Sequence, residues 1–167
     1  MYHKIIEQCA SAVERIETWM DKAELHATAK RFDAEVLMEW RLAPDMGQFV
    51  FQIQSACDYL KGIAVRFTGQ QPPTYGNTGD NIADMRERIR KTVAFVRGLT
   101  ENQLADAIQR KVTVSWIPEA ISGEDYLISV VVPNVYFHVS MAYAILRQGG
   151  VDVGKRDFLG AIYPNPQ

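Results

Sequence analysis

The chain is poor in the residues that staple, chelate or span. It holds two cysteines, Cys9 and Cys57. They stand far apart, each inside a helical pattern, so a disulfide framework is excluded and both thiols read as small buried hydrophobes in a reducing compartment. It holds three histidines; His3 at the chain start and His26 among charged neighbours read as surface residues, and none of the three shows metal-ligand spacing with another. Neither sign of charge dominates. With 18 Lys and Arg against 20 Asp and Glu, and the cations spread along the chain, there is no basic field for a phosphate backbone, which excludes nucleic acid as a partner. No stretch approaches the roughly 20 consecutive apolar residues that span a bilayer. The opening MYHKIIEQCASAVERIETW lacks a basic region followed by an apolar run. The expectation is a cytoplasmic protein with no membrane partner.

What is present is helical periodicity. A chain of 167 residues, 47% hydrophobic and 23% charged, suits one domain over 1–167 with its own core. Ile5, Ile6, Cys9, Val13, Ile16, Met20 and Leu25 step by three to five with acids interleaved, which predicts a first helix. Residues 27–44 predict a connector packed on the bundle through Phe32, Val36, Leu37, Trp40 and Leu42. Asp45 then caps a second helix over about 46–67, with the stripe Phe49, Val50, Ile53, Cys57, Leu60, Ala64 and Phe67, ending at Gly69. The loop GQQPPTYGNTGDN cannot propagate a helix and forms a long central connection.

Asn81 or Asp80 caps a third helix over about 82–99. Its run Arg86, Glu87, Arg88, Arg90 and Lys91 reads as a solvated face. A short helical turn starts at Thr100. Val112, Val114 and Trp116 then alternate against Lys111, Thr113 and Ser115, which predicts a strand over 110–117 returning antiparallel at 119–121. Ser122 opens a capping box before the fourth helix, in which Pro133 removes a backbone donor and predicts a kink or restart. Gly149 and Gly150 close that helix as left-handed caps, and Phe158, Leu159, Ile162 and Tyr163 of the tail fold back onto the bundle or a second subunit. The class is all-α: a four-helix bundle with a small β-hairpin before its last helix, of a kind that builds ligand sites from side chains on facing helices.

The candidate chemistry centres on His138, which shares an inward face with Asn134 one turn earlier. Gln54 and Asp58, one turn apart on the flank of the second helix, are the groups that could converge on it. An imidazole, two amides and a carboxylate could hold a divalent metal (zinc, nickel or iron) and its water, although amides are poor ligands for a tight site. The alternative leaves His138 hydrogen-bonded inside the core, with Asp58 linked to Lys61 or Arg66. Gly149 to Lys155, GGVDVGK, has the spacing of a phosphate-binding loop, but its glycines close a helix and Arg156 stands where Ser or Thr would hold magnesium. Ser140, two residues past His138, lies on another face, and no GxSxG motif is present.

The segments FHVSMAYAILRQGGVDVGKRDFLG, DMGQFVFQIQSACDYLKG and PNVYFH resemble an uncharacterised bacterial and fungal family of the DinB/YfiT-like superfamily. That resemblance implies a four-helix bundle, commonly a homodimer, and in many members a three-histidine metal site with one ligand from helix two and an HxxxH pair on helix four. It further implies relatives that act as metal-dependent thiol transferases, maleylpyruvate isomerases or hydrolases. The second histidine of the pair matches His138 and the first falls on Asn134. Helix two contains no histidine, and Gln54 or Asp58 is its nearest polar substitute. Two expectations follow: a bundle with an incomplete metal site that binds a small molecule or serves in stress, or a divalent-metal enzyme of the thiol transferase or hydrolase type using His138.

Overall fold

A computed structural model describes residues 1–75 and 79–160; Ile162 and Tyr163 lie outside the described residues. Four long helices carry the fold. They are α1 (Tyr2–Lys30), α2 (Phe49–Thr68), α3 (Ile82–Arg97) and a continuous run, Gly123–Gln148. The last run divides into one α-turn, α5 (Gly123–Asp125), a π-helical segment (Tyr126–Val131) and α6 (Val132–Gln148). Smaller pieces complete the chain: a 3-10 helix (Ala34–Glu39), α4 (Glu101–Ile108), the paired strands β1 (Lys111–Val112) and β2 (Ile121–Ser122), and α7 (Lys155–Leu159). Helix α2 packs on α3 and α6, and so does α1, which places the successive helices α1 and α2 on a diagonal of the bundle. The connection 31–48 therefore crosses over, as in a crossover bundle.

Periodicity placed the helices, and local chemistry moved their ends. The first helix runs past Leu25, which is exposed, to Lys30. It stops at Arg31 in the left-handed region (φ 62°), where Arg31 and Phe32 donate to the carbonyls of Thr28 and Ala27. In the connector Leu37 and Met38 enter the core while Val36 and Leu42 face out. Helix α2 starts at Phe49 instead of 46, and Asp45 caps nothing there: residues 43–46 are spent in a turn closed by Met46 N–H on the Ala43 carbonyl. Asn81 caps α3 through Oδ1 on Asp84 N–H (2.8 Å), while Asp80 turns to Gln54.

The charged run of α3 is more engaged than a solvated face. Arg86 bridges Asp21 and Glu24 of α1, and Arg88 reaches Asp58 of α2. The hairpin is shorter than the alternation implied, with only Lys111↔Ser122 and Val112↔Ile121 paired. Val112 and Val114 are buried as alternation requires. A turn from the Val114 carbonyl to Ile117 N–H (2.9 Å) then throws Trp116 outward.

In the fourth helix Pro133 is accommodated by widening the turn before it. Val132 N–H bonds back five residues to the Leu127 carbonyl, and the α-helix resumes with the proline in its first turn. The run Gly123–Gln148 is long and apolar enough to cross a membrane by length and composition, with a mean hydropathy of 1.4, and a third of that apolar window is buried. Only Gly150 takes the left-handed conformation at its end; Gly149 is right-handed, and the Trp40 ring lies where its side chain would be. Helix α7 returns onto the bundle by stacking Phe158 on buried Trp19 (5.9 Å between centroids).

The hairpin brings the fourth helix back tightly. Gly123 donates to the Arg110 carbonyl (2.9 Å), and a methyl at this position would strike the Ala107 carbonyl oxygen and come within 3.0 Å of the Ile108 Cα. Because backbone cannot swing aside as a side chain can, Gly123→Ala should cost about 1–3 kcal/mol. Urea unfolding would read this as a lowered midpoint at an unchanged slope.

Candidate functional site

Beside Thr92, whose hydroxyl pairs with that of Tyr75, the buried polar side chains among the described residues are Gln52 of α2, 2% exposed, and His138 of α6, 8% exposed. They meet, with Gln52 Oε1 2.8 Å from His138 Nδ1. The amide is oriented by its other end, since Gln52 Nε2 donates to the Gly47 carbonyl (2.9 Å) in the turn before α2. With the amide oxygen facing the ring, Nδ1 must carry the hydrogen, and a neutral imidazole then presents its lone pair at Nε2. Among the described residues no hydrogen-bond partner takes Nε2.

Aromatic rings surround the imidazole. Tyr59 stacks on it (5.8 Å, 21°), and Phe51 and Phe137 approach edge-on at 6.1 and 5.2 Å. Burial among these rings pushes the His138 pKa below its usual 6.5, which keeps the ring neutral.

The other predicted site residues turn elsewhere. Asn134 Nδ2 donates to the Val130 carbonyl (2.7 Å) in the turn where Pro133 offers no N–H. Gln54 donates to Asp80 (2.7 Å). Asp58 is held by Lys61 (2.6 Å) and Arg88 (2.9 Å), so the expected lysine link is present while Arg66 is not its partner. Among the described residues no three His, Cys, Asp or Glu side chains stand together to hold an ion.

Gln52 was the residue missed. It falls in the inward stripe between Phe49 and Ala56, where a polar side chain requires a partner; Gln54 is off that stripe. The GGVDVGK stretch is equally committed, because Gly154 N–H, the amide an anion would need, is taken by Asp157 Oδ2 (2.7 Å), itself paired with Lys22. Burial raises the thiols of Cys9 and Cys57 to about 11 and about 12, which keeps both protonated and unreactive.

Tyr59 has a second role. Its ring also lines a cleft of about 310 Å³ with Ser55, Asp58, Arg66, Trp116 and Tyr126. Trp116, 58% exposed, meets Tyr59 edge-on at 6.3 Å. Arg66 donates to the Tyr126 hydroxyl (3.2 Å) and lies 5.1 Å from that ring's centroid. The close approach needs Gly62: a methyl there would sit 2.6 Å from the Tyr126 oxygen. A wider groove of about 810 Å³ beside Glu35, Glu39 and Asp80 has its acids engaged in part, Glu35 by Ile82 N–H (3.0 Å) and Asp80 by Gln54.

Comparison with known proteins places this geometry in context. Residues 1–159 match a family described as a domain of unknown function, DUF1993. A DinB family member protein from Shewanella denitrificans, solved by crystallography at 1.83 Å, is 34% identical over 98% of this chain and 95% of that chain, with a TM-score of 0.88. No curated protein matches the chain.

Because the His138 pKa is lowered on folding, the unfolded chain binds the proton more readily. Stability should therefore be full above about pH 6.5 and fall as the pH drops through that value toward the folded pKa. Urea unfolding at a series of pH values should show this loss, and His138→Gln should flatten it. Gln52→Leu, which strands Nδ1–H in the interior, should cost about 1–3 kcal/mol at neutral pH.

Proposed function

This chain belongs to the DUF1993 family of DinB-like proteins, and on that footing we propose that it is a small-molecule-binding bundle whose binding place is the Tyr59–Trp116 cleft instead of a three-histidine metal centre. The observation that carries this reading is the Gln52–His138 bond. The polar group that helix two turns toward His138 is an amide whose oxygen already accepts the imidazole N–H and whose nitrogen already serves Gly47. One imidazole nitrogen with two carboxamides is a weak set for zinc, nickel or iron, which favour imidazole, thiolate and carboxylate together. The donors here do not fit a tightly held ion. The cleft has the volume of a small-ligand site, about 300 Å³ and upward, with an aromatic wall and a few convergent polar groups.

A homodimer belongs to the same proposal. The apolar window of the fourth helix is two-thirds unburied, and Phe137, 51% exposed, and Phe51 of α2, 49% exposed, each meet the His138 ring edge-on. A second copy applied to its own equivalent face would cover both phenylalanines by a two-fold contact. Light scattering should give a dimer for the natural chain and a monomer for Phe51→Asp combined with Phe137→Asp, and a monomeric natural chain would refute this part.

The binding reading is tested by two measurements. Elemental analysis after exposure to zinc, nickel and iron followed by dialysis should find far less than one ion per chain; stoichiometric metal that disappears in His138→Ala would overturn this reading and support a divalent-metal site at His138. An NMR screen of small neutral, cationic and anionic fragments should move the Trp116 indole signal. A screen in which no fragment does so would remove the cleft from consideration.

A further inference from the structure

Resting on the cleft reading above, we infer that the ligand class is a planar aromatic carboxylate, its ring in the corner between Tyr59 and Trp116 and its carboxylate on Arg66. The charge around the cleft is lopsided. Its one acid, Asp58, is already shared between Lys61 and Arg88, which leaves Arg66 as the charged group of the lining with no ionic partner among the described residues. Among the described residues no acid pairs with Arg66; its protein partners are the hydroxyl and ring face of Tyr126. A guanidinium carries five N–H donors, and most of this fork remains for a carboxylate, which it matches with two parallel hydrogen bonds.

Two further donors point the same way. Tyr126 accepts from Arg66 through its oxygen, which leaves the phenolic hydrogen to donate, and burial holds that phenol protonated. Ser55 on the same wall adds a hydroxyl. A cationic guest would meet Arg66 and find the lining's one acid already paired, so the electrostatics disfavour it.

The remainder of the site asks for a flat apolar body. Trp116 is thrown out of the hairpin with more than half of its surface in water, and it stands nearly perpendicular to Tyr59, at 81°. Two rings at that angle offer one face and one edge to a third ring, which can stack on one and meet the other edge-on, the two geometries aromatic pairs prefer. A volume near 310 Å³ admits one or two fused rings with a short acidic arm and excludes a peptide or a polymer.

The test is an NMR titration of the full-length protein, followed at the Trp116 indole, with benzoate and indole-3-carboxylate, their uncharged carboxamides, and benzylammonium. The carboxylates should bind at least about tenfold more tightly than the carboxamides, as a charge-assisted bond of at least 1.4 kcal/mol requires, and benzylammonium should bind least. Arg66→Gln should reduce the carboxylate preference to near unity while the carboxamides still bind, and added salt should erode the preference in the natural chain. Equal binding of carboxylates and carboxamides would overturn the ligand class and leave the cleft standing. Failure of every probe to move Trp116 would overturn both.

Discussion

The hydrogen bond between Gln52 and His138 decides how the two central helices face one another, because neither group can be buried alone. An unpaired amide or imidazole N–H in the interior costs about 1–3 kcal/mol, whereas the pair nearly balances its own desolvation. The bond is also directional. Gln52 is turned by the Gly47 carbonyl and so presents oxygen, which settles the tautomer of His138 across the helix interface. The turn before α2, the rotation of α2 about its axis, the rotation of α6 and the stacking of Tyr59 all have to be compatible with one 2.8 Å contact. Most of the rest is apolar packing that tolerates small slides; this contact does not.

Much of the architecture was legible in the pattern of apolar residues. The stripes through Ile16 and Met20, Ile53 and Leu60, or Ile89 and Val93 are buried where a 3.6-residue period places them. What escaped was set by single side chains or by backbone choices that leave no compositional mark. Helix α1 ends at Arg31 in a conformation usually signalled by glycine, so its true end carried no warning. Trp116 continues an alternating run but belongs to a turn, and the turn prevails because strands β1 and β2 are only two residues long. For the site, His138 was identifiable because it is a lone inward imidazole. Gln52 was identifiable by the same criterion, since it lies on the buried stripe, yet Gln54 and Asp58 attracted notice as polar residues one turn apart. Their partners, Asp80 in one case and Lys61 with Arg88 in the other, come from other segments, and spacing within one helix carries no information about those.

The molecule shares its scaffold with a DinB family protein, and its own polar groups fall into two regions. At 34% identity with a TM-score of 0.88, the helices superpose on the Shewanella protein while the inward donors of this chain are an imidazole and carboxamides. Gln52 and His138, hydrogen-bonded to one another inside a ring of Tyr59, Phe51 and Phe137, tie the helix pair together. Unused polar capacity lies in the cleft, on Arg66 and Ser55, beside the buried Tyr126 hydroxyl. Tyr59 stands between the two regions, stacked on the imidazole and nearly perpendicular to Trp116.

The widened turn Tyr126–Val131 makes the fourth helix a counting device. Leu127, Val131, Val135 and Val139 are all buried although they recur every four residues, and in a regular α-helix each such step overshoots by about 40°, so the fourth of them would face well away from the first. The slack absorbed by the π segment is what lets Tyr126 reach over Gly62 at one end while His138 faces Gln52 at the other. Closing that segment to ordinary pitch without losing a residue would rotate everything downstream by about 100°. The imidazole would swing off its amide with no change in the sequence around it, so the wide turn and the extra residue belong together, and a chain that loses one must lose the other.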